Sequence, residues 1–232
     1  LNIDNIIPTQ TKQITMTYTN ENRAGEVGTV SKDINLKSKD GVMLVNKISD
    51  FNSNGDVIES TTNKIVIGEL DKGTEEKIAN INLYAINNYD DSILNSVIVG
   101  NIPAEGTWYD GEQSANISFQ NILASEISVT KLGAKIYYSE DSNATKDSNS
   151  WKEKLDDISK AKSFKIEFAN GEISAKEVVQ ISYKIKIPNN LEGGDTTLNT
   201  MKLSYKHQGN DMNIVSTNLL KKPEKNYARV AM

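Results

Sequence analysis

Ser128 and Lys131, and again Ser159 and Lys162, stand three residues apart, the spacing at which a serine hydroxyl and a lysine amine can act as nucleophile and base. Neither pair has the Ser-Asp-Asn or Lys-Thr-Gly companions that such chemistry needs, and a chain with 24 lysines produces these matches by chance. Imidazole chemistry rests on one histidine, His207, which lies just past a strand pattern beside "QGND", the setting of a surface turn. The chain has no cysteine, which excludes thiolate nucleophiles, thiolate metal sites and disulfides. It has no glycine-rich phosphate loop either. These residues read as those of a protein that is not an enzyme.

Oxygen ligands remain. In "DSNATKDSN" Asp141, Asn143, Thr145 and Asp147 fall at alternate positions, as in a loop for a hard cation, and "NNYDDS" adds Asp90 and Asp91. Calcium is the one cofactor this pattern admits. Lys146 occupies the place where an EF-hand loop needs glycine, and Lys152 the place of its bidentate glutamate, so a solvated polar loop is the competing reading. Trp108 and Tyr109, in "EGTWYDGE", would form a stacking platform for a sugar ring if exposed. The plainer alternative is that Trp108 plugs the end of a core and Tyr109 covers it.

The elements that must position these residues are strands. In "EKIANINLYAINN" Ala79, Ile81, Leu83 and Ala85 share one parity while Asn80, Asn82 and Tyr84 take the other, the period of a half-buried strand. The same alternation points Phe164, Ile166 and Phe168 inward, and likewise Val179, Ile181, Tyr183, Ile185 and Ile187. Pro188 ends that last ladder because it has no N–H to donate. Further strands are expected at 12–19, 30–38, 42–48, 57–67, 94–102, 115–119, 126–138, 198–206 and 213–219, separated by Gly, Asn, Asp and Ser clusters such as "SNGD", "DKGTEE" and "ANGE". One helix is expected: "SWKEKLDDISKA" offers Ser150 as N-cap, Glu153 as its capping-box partner, and Trp151, Leu155 and Ile158 on one face.

A length of 232 residues favours two domains, and 37% apolar content suits thin sandwiches. The net charge of −5 argues against nucleic acid, since there is no basic surplus to release counterions from phosphates. Lysine outnumbers arginine 24 to 2, the coding bias of a low-GC bacterium. No apolar run is long enough to span a bilayer. "QITMTYT" at 13–19 is echoed by "QISYKIK" at 180–186, and without a gap "INLKSK" at 34–39 is echoed by "MKLSYK" at 201–206. Two related units are therefore expected: residues 1–70, smaller or truncated, and residues 71–232, a complete sandwich, meeting near "GELDKGTEE".

Three stretches, "INLYAINNYDDSILNSVIVGNIPAEGT", "AKIYYSEDSN" with the tryptophan after it, and "SFKIEFANGEISAKEVVQISYKIKIPNN" running on to "LNTMKLSYK", resemble the extracellular immunoglobulin-like β-sandwich repeats of large Gram-positive surface proteins. The resemblance covers about two thirds of the chain and consists of strand-and-turn patterns. It implies an all-β fold of tandem immunoglobulin-like units in a wall-associated or secreted adhesin. Its partners would be neighbouring repeats of the parent chain and a host or matrix protein or glycan. Some adhesin sandwiches crosslink themselves between a buried lysine and an asparagine, with a carboxyl group moving the proton. Lys77, Asn199 and Glu177 each share the inward parity of their strands, which suits such a triad. A lysine and a glutamate at solvated strand ends, with Asn199 tying a loop, is the competing reading. The function expected is an extracellular structural or adhesive module acting as stalk or ligand-presenting repeat. The alternative is a carbohydrate-binding or spacer domain attached to a secreted enzyme.

Overall fold

The structure, a computed structural model, describes residues 10–19, 27–36, 41–51, 57–60, 64–66, 77–109, 114–188 and 191–221. The chain divides into two compact units, Leu1–Gly41 and Val42–Met232. In the first, β1 (Gln10–Thr19) and β2 (Val27–Leu36) form an antiparallel ladder from Gln10 opposite Leu36 to Thr19 opposite Val27. β-Branched residues recur in both strands, Ile14, Thr15 and Thr17 in β1 and Val27, Val30 and Ile34 in β2, as a pleated surface favours.

The second unit is a sandwich of β3 (Val42–Phe51), β4 (Val57–Ser60), β5 (Lys64–Val66), β6 (Lys77–Asn87), β7 (Leu94–Asn101), β8 (Gly106–Tyr109), β9 (Ser114–Ile117), β10 (Ile122–Leu123), β11 (Ser128–Val129), β12 (Lys135–Ser139), β13 (Ser163–Glu167), β14 (Val178–Ile187), β15 (Thr196–His207) and β16 (Asn210–Lys221). One sheet has the order β10-β14-β6-β3-β4, with β11 also on β14. The other has the order β12-β13-β7-β15-β16-β5, and β8 and β9 pair apart from both. Among the described strands every pairing is antiparallel except β5 with β16.

The core lies where alternation places it. Ala79, Ile81, Leu83 and Ala85 of β6 and Val179, Ile181, Tyr183, Ile185 and Ile187 of β14 are buried against Ile98, Phe164, Ile166, Met201, Leu203 and Tyr205 of the opposite sheet. Each fully buried aliphatic side chain contributes roughly 1.5–3 kcal/mol, which makes this interface the main source of stability. Gly100 faces Phe164 across the β13–β7 ladder, and a Cβ at position 100 would lie 2.2 Å from Phe164 Cζ. Glycine therefore lets the ring lie flat against the strand, where it meets Tyr183 edge-on at 5.2 Å between centroids.

Three expectations differ from what the structure holds. The ladder of β3 with β6 runs from Val42 opposite Asn87 to Asp50 opposite Ala79, so residues 42–51 share a sheet with the unit that was expected to begin at 71. The echoed segments do not repeat a topology either. β1 and β2 pair with each other, whereas β14 and β15, which carry the second copy, lie in different sheets. Period-two alternation is common to strands of any connectivity, which is why it matched. In place of a three-turn helix at 150–161 there is one 3-10 turn, Ile158–Lys160, capped by Asp157. Both backbone groups of Lys152 are bonded to Tyr138, at 2.7 and 2.9 Å, and the Ser150 hydroxyl accepts from Ser139 instead of capping a helix.

The course of the chain through the sandwich follows from these registers. β3 starts opposite Asn87, whose side-chain amide donates to the carbonyl of Ile173. Ile173 bridges Ile93, next to Leu94, which pairs with Lys206 near the β15–β16 turn. These residues form one end of the sandwich, its head. β16 ends at Lys221 opposite Thr196, the first residue of β15 and hence at the other end, the foot. The two are separated by the length of twelve-residue β15, roughly 40 Å at strand rise.

Candidate functional site

At the foot, Ile122 pairs with Lys186 and Lys77 with Ile187, which brings Lys77 and Asn121 to either side of the same position on β14. From the opposite sheet Asn199, 2% exposed, accepts a hydrogen bond from Asn121 Nδ2 at 3.2 Å. Asn199 Nδ2, Asn121 Oδ1 and Thr197 Oγ1 are buried without partners. The Lys77 side chain lies outside the described residues. Glu177 is not part of this cluster: Val178, next to it, pairs with Ile86 at the head, nine rungs from Lys77. Its carboxylate takes Lys131 Nζ at 2.6 and 2.8 Å and the Ser174 N–H at 2.7 Å. Burial raises the Glu177 carboxyl, but Lys131 and Ser174 outweigh it and hold the group below its ordinary value. Lys77 and Asn199 share the foot, and the carboxyl expected to serve them stands at the other end.

The head is tied by amides and one ring stack. Asn87, fully buried, donates through Nδ2 to the carbonyls of Asp91, Ile173 and Ser174, and its Oδ1 accepts from Tyr89 N–H. His207 stacks on Tyr89 with centroids 3.5 Å apart, and its Nε2 lies 2.8 Å from Asp91 Oδ1. Burial, together with the neighbouring Tyr89, pushes the Tyr205 hydroxyl up to about 12. His207 is thus a structural tie between the β6–β7 loop and the end of β15. Neither serine–lysine pair is assembled as nucleophile and base. Lys131 is bound to Glu177, and the Ser159 hydroxyl donates to Asp157 at 2.7 Å.

The expected calcium loop is closed on itself. Asp141 Oδ1 accepts from the Asn143 N–H, Asp147 pairs with Lys146 at 2.7 Å, and Thr145 is bonded to Ser148 and Trp151. Among the described residues no three acidic or imidazole groups gather as a cation site. Trp108 and Tyr109 lie in β8, opposite Ala115 and Ser114; their side chains lie outside the described residues.

What sequence reasoning missed is a trench on the outer face of the second sheet. Two clefts, of about 710 and 540 Å³, share Lys146, Asp147, Ser204 and Asn213 and so run together along β7 and β15. Val97 and Val99 line the β7 side, and the 142–147 loop forms one wall. That wall is pinned by Asn101, which donates to the carbonyls of Ser142 and Ala144, both at 3.1 Å. Two ion pairs lie in its lining, Lys146 with Asp147 and Lys206 with Asp211; Glu167 of the lining takes Lys165, and Lys202 adds a further cation. Such a groove offers amides, hydroxyls and a short aliphatic strip to an extended ligand. It holds no assembled catalytic group among the described residues. The signal lay in outward positions of β7 and of the β15–β16 hairpin, which are far apart in sequence and which no local pattern joins.

No protein-family model matches the chain, and no curated protein does. Solved structures do. It is similar to a protein of Corynebacterium diphtheriae described as membrane anchored, at 10% identity and a TM-score of 0.45, over 97% of this chain and 47% of that one. The major pilin subunit of Bacillus cereus is similar at 8% identity and a TM-score of 0.42, over 92% of this chain and 48% of that one. The collagen adhesin of Staphylococcus aureus is similar at 14% identity and a TM-score of 0.35, over 88% and 58%. The chain spans about half the length of these structures. The expected resemblance to Gram-positive surface proteins of the adhesin type is met by this similarity to an adhesin and a pilin, as a likeness of fold alone. Among the described residues no helix is long and apolar enough to cross a membrane.

Proposed function

We propose that the chain is a non-enzymatic structural module of a bacterial surface protein, a spacer that holds its neighbours apart outside the cell. The observation that carries this reading is the course of the chain: it joins the sandwich at the head, at Val42, and leaves at the foot, at Lys221. A unit so threaded adds its full strand length to whatever it connects. Surface labelling tests the reading. Antibody against the chain should stain intact source cells, and external protease should remove the signal. Staining only after lysis would sink it.

Ligand presentation is a second reading, favoured by the outer trench with its pinned wall. It and the spacer role are compatible, because the trench lies on the outer face of one sheet, along the strands.

A further inference from the structure

The two strands through which the chain joins and leaves the sandwich are not equally held. β16 pairs with β15 over twelve positions and with β5 over three more, and it sends Leu220 into the core. β3 pairs with β6 over nine positions and with β4, the next strand in the chain, over four. Of the described β3 side chains, Val42 is in the core, Leu44 packs on its rim, and Asn46 is buried with its Oδ1 unpartnered. Tension along the sandwich pulls β3 out of the head and β16 out of the foot, each parallel to its ladder, so each ladder is loaded in shear.

We propose that residues 42–76 are a releasable length of chain. Under tension β3 slides off β6 first and takes β4 and β5 with it, while β6 to β16 stay folded. The unfolding stops at β6 because its other edge is held by β14 over ten positions and its inward side chains Ala79, Ile81, Leu83 and Ala85 are central to the core. The spacer then lengthens in one step of roughly 80 Å: the released stretch reaches about 120 Å when extended, and the head-to-foot span of about 40 Å is given up because Lys77, where tension then enters, lies at the foot. This inference rests on the spacer reading, and its test is independent of where the protein resides.

The chain has no cysteine, so single-molecule handles can be placed on the full chain at Asp40→Cys and Lys222→Cys without interference. Stretching should show a first step with the contour gain of residues 42–76, then a second at higher force for the remainder to Lys221. Adding Val45→Cys and Tyr84→Cys, opposite each other in the β3–β6 ladder, should abolish the first step when oxidised and restore it when reduced. Their separation as an antiparallel pair is within disulfide reach. A single step that releases the whole sandwich, a first step from the foot, or a first step that survives the oxidised pair would each overturn the proposal.

Discussion

Single side chains at the head and foot carry opposite consequences for pH and for covalent chemistry. Glu177 has a folded-state carboxyl below its ordinary 4.5, so its ties to Lys131 and Ser174 stabilise the protein above the unfolded value. That contribution is lost as pH falls through the lower folded value. Glu177→Gln is therefore expected to cost about 1 kcal/mol at pH 7, the order for a partly exposed charged hydrogen bond, and less at pH 3. Paired thermal melts at the two pH values check this, and an equal loss at both would contradict it. At the foot, an amide between Lys77 and Asn199 would remove one ammonia, but Glu177 is too distant to move its proton. Intact mass is expected to equal the sequence mass. A deficit of one ammonia would show that another group serves the lysine.

At the scale of elements, two contacts fix how strands meet. Phe164 covers Gly100, so Gly100→Ala forces a buried ring to move and is expected to cost about 1–3 kcal/mol. Phe164→Leu in the same chain should recover part of the loss, and a double-mutant cycle reads that coupling. Asn87 serves three carbonyls and one N–H, so Asn87→Ala should cost about 2–4 kcal/mol by leaving buried groups unpaired. Asn87→Asp should be no better, because a carboxylate would face those carbonyls. Denaturant melts measure both. The strands and their inward sets were legible because a two-residue period is written locally, as Ile81 and Ile181 show. The helix at 150–161 was misread because its caps and apolar spacing are local, while the Lys152–Tyr138 bridge that replaces it is not. Asn121 was invisible for the same reason: its partner Asn199 lies 78 residues away.

For the whole molecule, the boundary between what folds and what completes the fold separates sequence from structure most sharply. The expected unit 71–232 lacks β3, β4 and β5, yet it retains the four strands that sandwich most of the described core, β6 and β14 in one sheet and β7 and β15 in the other. Residues 71–232 alone are thus expected to fold as a β-sandwich of lower stability. The loss should be at least about 2 kcal/mol, from the burial of Val42 and part of Leu44. Adding residues 42–70 should restore the full value, because they refill the sheet edge beside β6 and the place of Val42. Far-ultraviolet circular dichroism with urea melts of the two fragments and the full chain decides the matter. A fragment 71–232 without a cooperative transition would mean that β3 is indispensable, and the sandwich would then have no folded state to hold once that strand had slid away.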